Sequence, residues 1–137
     1  MSPLSNIKFL IVEDEPLLCE AICEIFANEG AIVDQAENGV VAFSKVSEKN
    51  YDVVISDIKM PRGSGLELMK KINSLGGKLP LCFFLTGSYS GTNENLLALG
   101  VQKAFQKPFS AKKVVAEISL ALEQAKLIPG ASETKNN

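Results

Sequence analysis

Four short stretches of this chain carry side chains able to do chemistry on a charged group: Glu13-Asp14, Asp57, Thr86 and Lys107. An ionised aspartate is a competent nucleophile toward phosphorus, and in-line phosphoryl transfer chiefly needs positioning and charge neutralisation. Three carboxylates brought together repel one another, and burial raises their pKa values, so a site that keeps them ionised needs a cation. Mg2+ suits such a site: it takes one or two carboxylates, keeps several waters and accepts phosphate oxygens in an octahedral shell. Lys107 then adds a second positive charge and Thr86 a hydrogen bond. The chain contains no histidine, which removes Ser-His and Cys-His catalysis, His-ligated zinc and a phosphohistidine together.

These residues meet only if the backbone brings them to one place. Apolar runs alternate with helix-period segments along the chain, the pattern of a βα repeat and a parallel sheet. Phe9–Val12, Ala31–Gln35, Tyr51–Ser56, Pro80–Leu85 and a brief Ala104–Gln106 read as strands. Between them, Leu18, Ala21, Ile22, Ile25 and Phe26 give a first helix beginning near Pro16 and ending near Asn28. Val41, Ala42 and Val46 give a second after the Asn38-Gly39 turn, and Leu66, Met69 and Ile72 a third, ended by Gly76-Gly77. A polar stretch, Ser88–Asn95, precedes a weakly specified fourth helix through Leu96, Leu97 and Leu99. Ser110 caps a fifth, whose stripe is Val114, Val115, Ile118, Ala121 and Leu122. Open parallel sheets bind ligands beyond the carboxyl ends of their strands. Glu13-Asp14, Asp57, Thr86 and Lys107 all fall there, and a 2-1-3-4-5 strand order sets the first and third strands side by side, with the three acids together.

Composition narrows the function classes further. The chain has 137 residues, enough for one domain with a real core. With 46% hydrophobic and 22% charged residues it is not disordered. A formal charge of -2 lacks the basic excess that a nucleic-acid backbone requires, so no direct nucleic-acid contact is expected. Three cysteines, with Cys19 and Cys23 four residues apart on one helix face, suit neither a disulfide framework nor a thiolate metal site and read as small buried apolar residues in a reducing cytoplasm. No apolar run approaches a membrane span, and the N-terminus lacks a signal-peptide pattern, so no membrane association is expected.

IVEDEP, SDIKMPRGSG, FLTG and KPF, in this order and spacing, resemble the receiver domain of two-component response regulators over about residues 7–125. The resemblance implies a flavodoxin-like doubly wound (βα)5 fold, residues 7–126, between an N-terminal extension of 1–6 and a flexible tail of 127–137. It implies Asp57 as phosphoacceptor and metal ligand, Asp14 as direct Mg2+ ligand, Glu13 as a ligand through water, and the Lys59 carbonyl as a further one. Lys107 would contact the phosphoryl group, Thr86 would turn inward to bond it, and Pro108 would follow a cis peptide. The phosphoryl group would come from a sensor histidine kinase or a histidine phosphotransfer protein, and the surface of the fourth helix, fifth strand and fifth helix would pass the signal to a downstream protein target. The expectation is a single-domain cytoplasmic regulator without a fused DNA-binding module, not an enzyme. A receiver-fold scaffold that is never phosphorylated is one alternative. A Mg2+-dependent phosphatase with an aspartate nucleophile is another, disfavoured by Lys59 where such enzymes place a second acid. One position departs from the family: three residues before the lysine, where Tyr or Phe is usual, stands Ala104, with Phe105 expected on the opposite face of the sheet.

Overall fold

The computed structural model describes residues 3–87 and 93–130, with the backbone alone at 93 and 94. Five strands and five helices alternate: β1 (Lys8–Val12), α1 (Pro16–Ala27), β2 (Ile32–Ala36), α2 (Gly39–Glu48), β3 (Val53–Ser56), α3 (Gly65–Asn73), β4 (Leu81–Thr86), α4 (Asn93–Ala98), β5 (Val101–Gln106) and α5 (Ala111–Gln124). All neighbouring strands are parallel, in the order β2-β1-β3-β4-β5. Helix starts follow local chemistry, since a side-chain acceptor satisfies a backbone donor that the first turn leaves open. Asn38 Oδ1 accepts from Val41 N at 2.8 Å, Ser64 Oγ from Glu67 N at 3.2 Å and Ser110 Oγ from Lys113 N at 3.2 Å. In α1, Pro16 occupies the first turn and no side chain caps it.

Strand alternation divides the core in two. Phe9, Ile11, Val53, Ile55, Phe83, Leu85 and Phe105 face α1 and α5, where Phe9 stacks on Phe26 with ring centroids 4.6 Å apart. Leu10, Val12, Val54, Cys82, Phe84 and Val101 face α2, α3 and α4. Phe105 stacks on Phe83 in the first core while Ala104 packs on the second, so the two residues do face opposite sides of the sheet.

Four expectations need correction. On α1 the inner positions are Cys19, Ile22, Cys23 and Phe26, and Ala21 is exposed, because the helix turns its thiols and not its alanine to the sheet. On α3 Leu68 is buried beside Met69 and Ile72, whereas Leu66 is 36% exposed on the first turn. The fifth strand begins at Val101, three residues before the expected Ala104. The core also passes the expected limits of 7 and 126: Leu4 is fully buried, and Ile128 packs in the first core with Leu127 against it. The polar stretch at 88–92 and the tail at 131–137 lie outside the described residues.

Candidate functional site

β1, β3 and β5 each hand over a site residue one ladder step past their own ends, and Thr86 is the last residue of β4 itself. Glu13 N donates to Ala36 O at 3.1 Å, Asp57 N to Val12 O at 3.0 Å and Lys107 N to Thr86 O at 2.9 Å. The backbones of three site residues are therefore fixed by the sheet and not by mobile loops, which is what a reaction dependent on position requires. Beyond Asp57 the chain turns sharply: Gly65 N donates to Ile58 O at 2.8 Å, and a Cβ on Gly65 would stand 2.2 Å from the Asp57 carbonyl oxygen. Glycine is required there by close approach. Gly39 plays a similar part where α2 meets the Gly63 carbonyl, at 2.5 Å from a notional Cβ.

Carboxylate oxygens of Glu13, Asp14 and Asp57 lie within 4.8 Å of one another. The Lys107 ammonium bridges two of these acids, at 2.9 Å from Glu13 Oε1 and 3.0 Å from Asp57 Oδ2. Asp57 Oδ1 accepts from Ile58 N at 2.6 Å, so both of its oxygens are oriented. Glu13 Oε2 accepts from Glu15 N at 3.2 Å. Burial holds the Glu13 carboxyl above its ordinary range, against the lowering effect of the Lys107 hydrogen bond. Burial pulls the Lys107 ammonium down, but its bonds to Glu13 and Asp57 outweigh this, and its pKa is raised. Among the described residues, Lys107 is the one cation paired with this trio, which leaves an excess of negative charge.

Glu13, Asp14, Asp57 and Lys107 are thus brought together as expected. Thr86 is buried at the neighbouring end of β4, in register with Gln106. Lys59 has an exposed side chain in the loop after Asp57. The Lys107-Pro108 peptide is cis. The Glu13–Lys107 ion pair was not foreseen, although both residues were; the two stand 94 residues apart, after strands that β3 and β4 separate, and only their convergence on the carboxyl edge of the sheet could have signalled it. Cys19, Cys23 and Cys82 are free and buried, as the odd number of cysteines and the spacing of the first two suggested. Burial pushes the Cys82 thiol up to about 12, an inert core thiol.

Solved response regulators share this fold. CheY4 of Vibrio cholerae superposes with a TM-score of 0.76 at 25% identity over 86% of this chain and 100% of its own. TrrA of Thermotoga maritima, solved in complex with Mg2+-BeF, does so with a TM-score of 0.73 at 32% identity, covering 83% and 97% of the two chains. The model of the response regulator receiver domain matches residues 9–119, and the chain belongs to that family. The transcriptional regulatory protein DltR of Streptococcus agalactiae is 35% identical over 121 residues, which is 88% of this chain and 54% of DltR. The chain spans about half the length of such curated relatives. Among the described residues no helix is long and apolar enough to cross a membrane.

Proposed function

We propose that the chain is a phosphoryl-accepting switch, with Asp57 the acceptor of a phosphoryl group from a sensor histidine kinase or histidine phosphotransfer protein. The observation that carries this reading is the oriented Asp57 carboxylate, held through Oδ1 by Ile58 N–H and through Oδ2 by Lys107, inside a three-carboxylate cluster with uncompensated charge. The donor set consists of hard oxygens, which fits Mg2+. Asp14 and Asp57 would hold it directly, Glu13 through water, and the Lys59 carbonyl would add a fourth protein oxygen. A divalent cation bound there supplies neutralisation of the carboxylates and of the incoming phosphoryl oxygens.

The chain's own residues do the rest. A carboxylate oxygen of Asp57 forms a bond to phosphorus as the bond from phosphorus to the donor's imidazole nitrogen breaks, and the electron pair returns to that nitrogen. Lys107, freed in part from Asp57 Oδ2, neutralises a phosphoryl oxygen, and the Thr86 hydroxyl donates to another. With no aromatic ring at 104, the movement of Thr86 passes to α4 rather than through a swinging side chain, and the surface of α4, β5 and α5 changes its affinity for a downstream protein. The exchange takes place in the cytoplasm, where such kinases are charged. Incubation with phosphoramidate tests the reading. Labelling is expected with Mg2+ and not with a chelator, and Asp57→Asn abolishes it while leaving circular dichroism unchanged; undiminished acyl-type phosphate on the substituted protein refutes the assignment.

A further inference from the structure

Beside the acidic trio, between the start of α1 and the β2–α2 turn, lies an open cleft of about 320 Å3. Buried Cys19 and Ala36 close its depth, Pro16 and Val41 supply apolar sides, and Asp14 and Glu37 bring carboxylates. Gln35 also lines it, its Oε1 taking a long 3.8 Å contact from the Cys19 thiol. Among the described residues no ion pair engages Asp14 or Glu37. Two exposed apolar side chains stand on the adjoining first turns, Val40 of α2 at 60% exposure and Leu17 of α1 at 82%.

The charges divide by place. Lys107 and a divalent cation would balance Glu13, Asp14 and Asp57, but Glu37 lies outside that cluster and keeps the cleft negative whether or not the cluster is loaded. An apolar-sided slot with a carboxylate at its mouth matches a long side chain that has an aliphatic stem and a cationic end. Glu13 and Asp14 line the same cleft and share the acidic cluster with Asp57, so a group docked there lies beside the acceptor site. We infer that this cleft receives a lysine or arginine of the phosphodonor protein, its stem along Pro16 and Val41 and its charge on Glu37, with Val40 and Leu17 meeting apolar side chains beside it. The inference rests on the phosphoacceptor reading and names the chemistry of the partner that the site selects.

The source organism's sensor kinases, each autophosphorylated and mixed with the full chain, identify the fastest donor, which is the probe. Glu37→Lys is expected to slow transfer from that donor about tenfold at low ionic strength, the scale on which an interfacial charge steers association. Glu37→Gln loses less and flattens the salt dependence, since screening acts on the charge that was removed. Labelling by phosphoramidate stays at the native rate in both variants, because Glu37 touches no reacting atom. Equal donor transfer in native and Glu37→Lys protein overturns the inference, as does a parallel fall in phosphoramidate labelling, which would place the effect in the site itself. A native dimer abolished by Glu37→Lys in sedimentation would overturn it too, by assigning the cleft to a second copy. A native chain that phosphoramidate does not label overturns the phosphoacceptor reading and this inference with it.

Discussion

The two edges of the sheet each carry a cluster of charges, and the clusters are built to opposite ends. At the amino edge Tyr51 Oη donates to Asp34 Oδ2 at 2.6 Å, Lys49 Nζ stands 3.5 Å from the same oxygen, and Lys8 N donates to Asp52 Oδ2 at 2.8 Å. The Tyr51 bond, opposed by partial burial and aided by Lys49, holds the Asp34 carboxyl below its ordinary value, so the charged form is the favoured one. At the carboxyl edge the Glu13 carboxyl is raised by burial, and three acids share one paired lysine. Ionised Asp34 supports the fold, whereas ionised Glu13 costs it stability. A cluster whose charge is answered internally reads as structure; one that keeps an excess is available to a cation and a phosphoryl group.

The contrast can be broken most severely at Asp14. Asp14→Ala is expected to reduce Mg2+ affinity by about a hundredfold or more, and Glu13→Ala by about tenfold, because one change removes a direct ligand and the other an outer one. Titration calorimetry ranks them, and equal affinities in native and both altered proteins would contradict that division between direct and outer ligand. Next in size, Lys107→Ala leaves Glu13 and Asp57 facing each other without a cation. It should lower unfolding free energy by about 2 kcal/mol in chelator, less than a fully buried pair would lose because 21% of the Lys107 side chain is exposed. Mg2+ should restore much of that loss, and denaturant curves with and without the ion that show an equal deficit would count against the shared site.

At the amino edge the effects are smaller. Tyr51→Phe should cost about 1 kcal/mol, the worth of one hydrogen bond to a charged acceptor discounted for exposure, and leave phosphoramidate labelling untouched. The pH slopes have opposite signs. Asp34, depressed in the fold, contributes stability above its ordinary 3.8 that is lost as pH falls through the folded value. Glu13, raised in the fold, makes stability decline as pH rises from 4.5 through its own folded value. Unfolding measured across this acid range should show Tyr51→Phe flattening the first slope and Glu13→Gln the second; a Tyr51→Phe curve parallel to the native one would remove Tyr51 as the cause.

Much of this could be read from sequence because parallel strands buried on both faces are continuous apolar runs, and their last residues point to the ligand-binding edge. Phe9–Val12 and the acids after it needed nothing more. The start of β5 was obscured by a register shift: Cys82 pairs with Val101 and Phe83 with Lys103, so exposed Gln102 and Lys103 follow one another and break the strand period. On α1 the apolar period allowed more than one face, and small thiols rather than Ala21 took the core. Leu4 and Ile128 were missed because each lies outside any strand or helix period and its burial depends on contacts distant in sequence. The site residues were legible one by one, but the Glu13–Lys107 bridge joins the ends of β1 and β5, which β3 and β4 separate in the sheet, and no local pattern encodes it.

Phosphoacceptance by Asp57 is tested most directly by locating the covalent bond. Protein treated with phosphoramidate and Mg2+, then reduced with borohydride, carries homoserine wherever an aspartyl phosphate stood, and peptide mass spectrometry reads the position. The arrangement of Asp57, Lys107 and the neighbouring acids predicts homoserine at position 57 alone, and none when Mg2+ is withheld. Homoserine at 14 or 34, or an unreduced chain after full exposure to phosphodonor and metal, would contradict it.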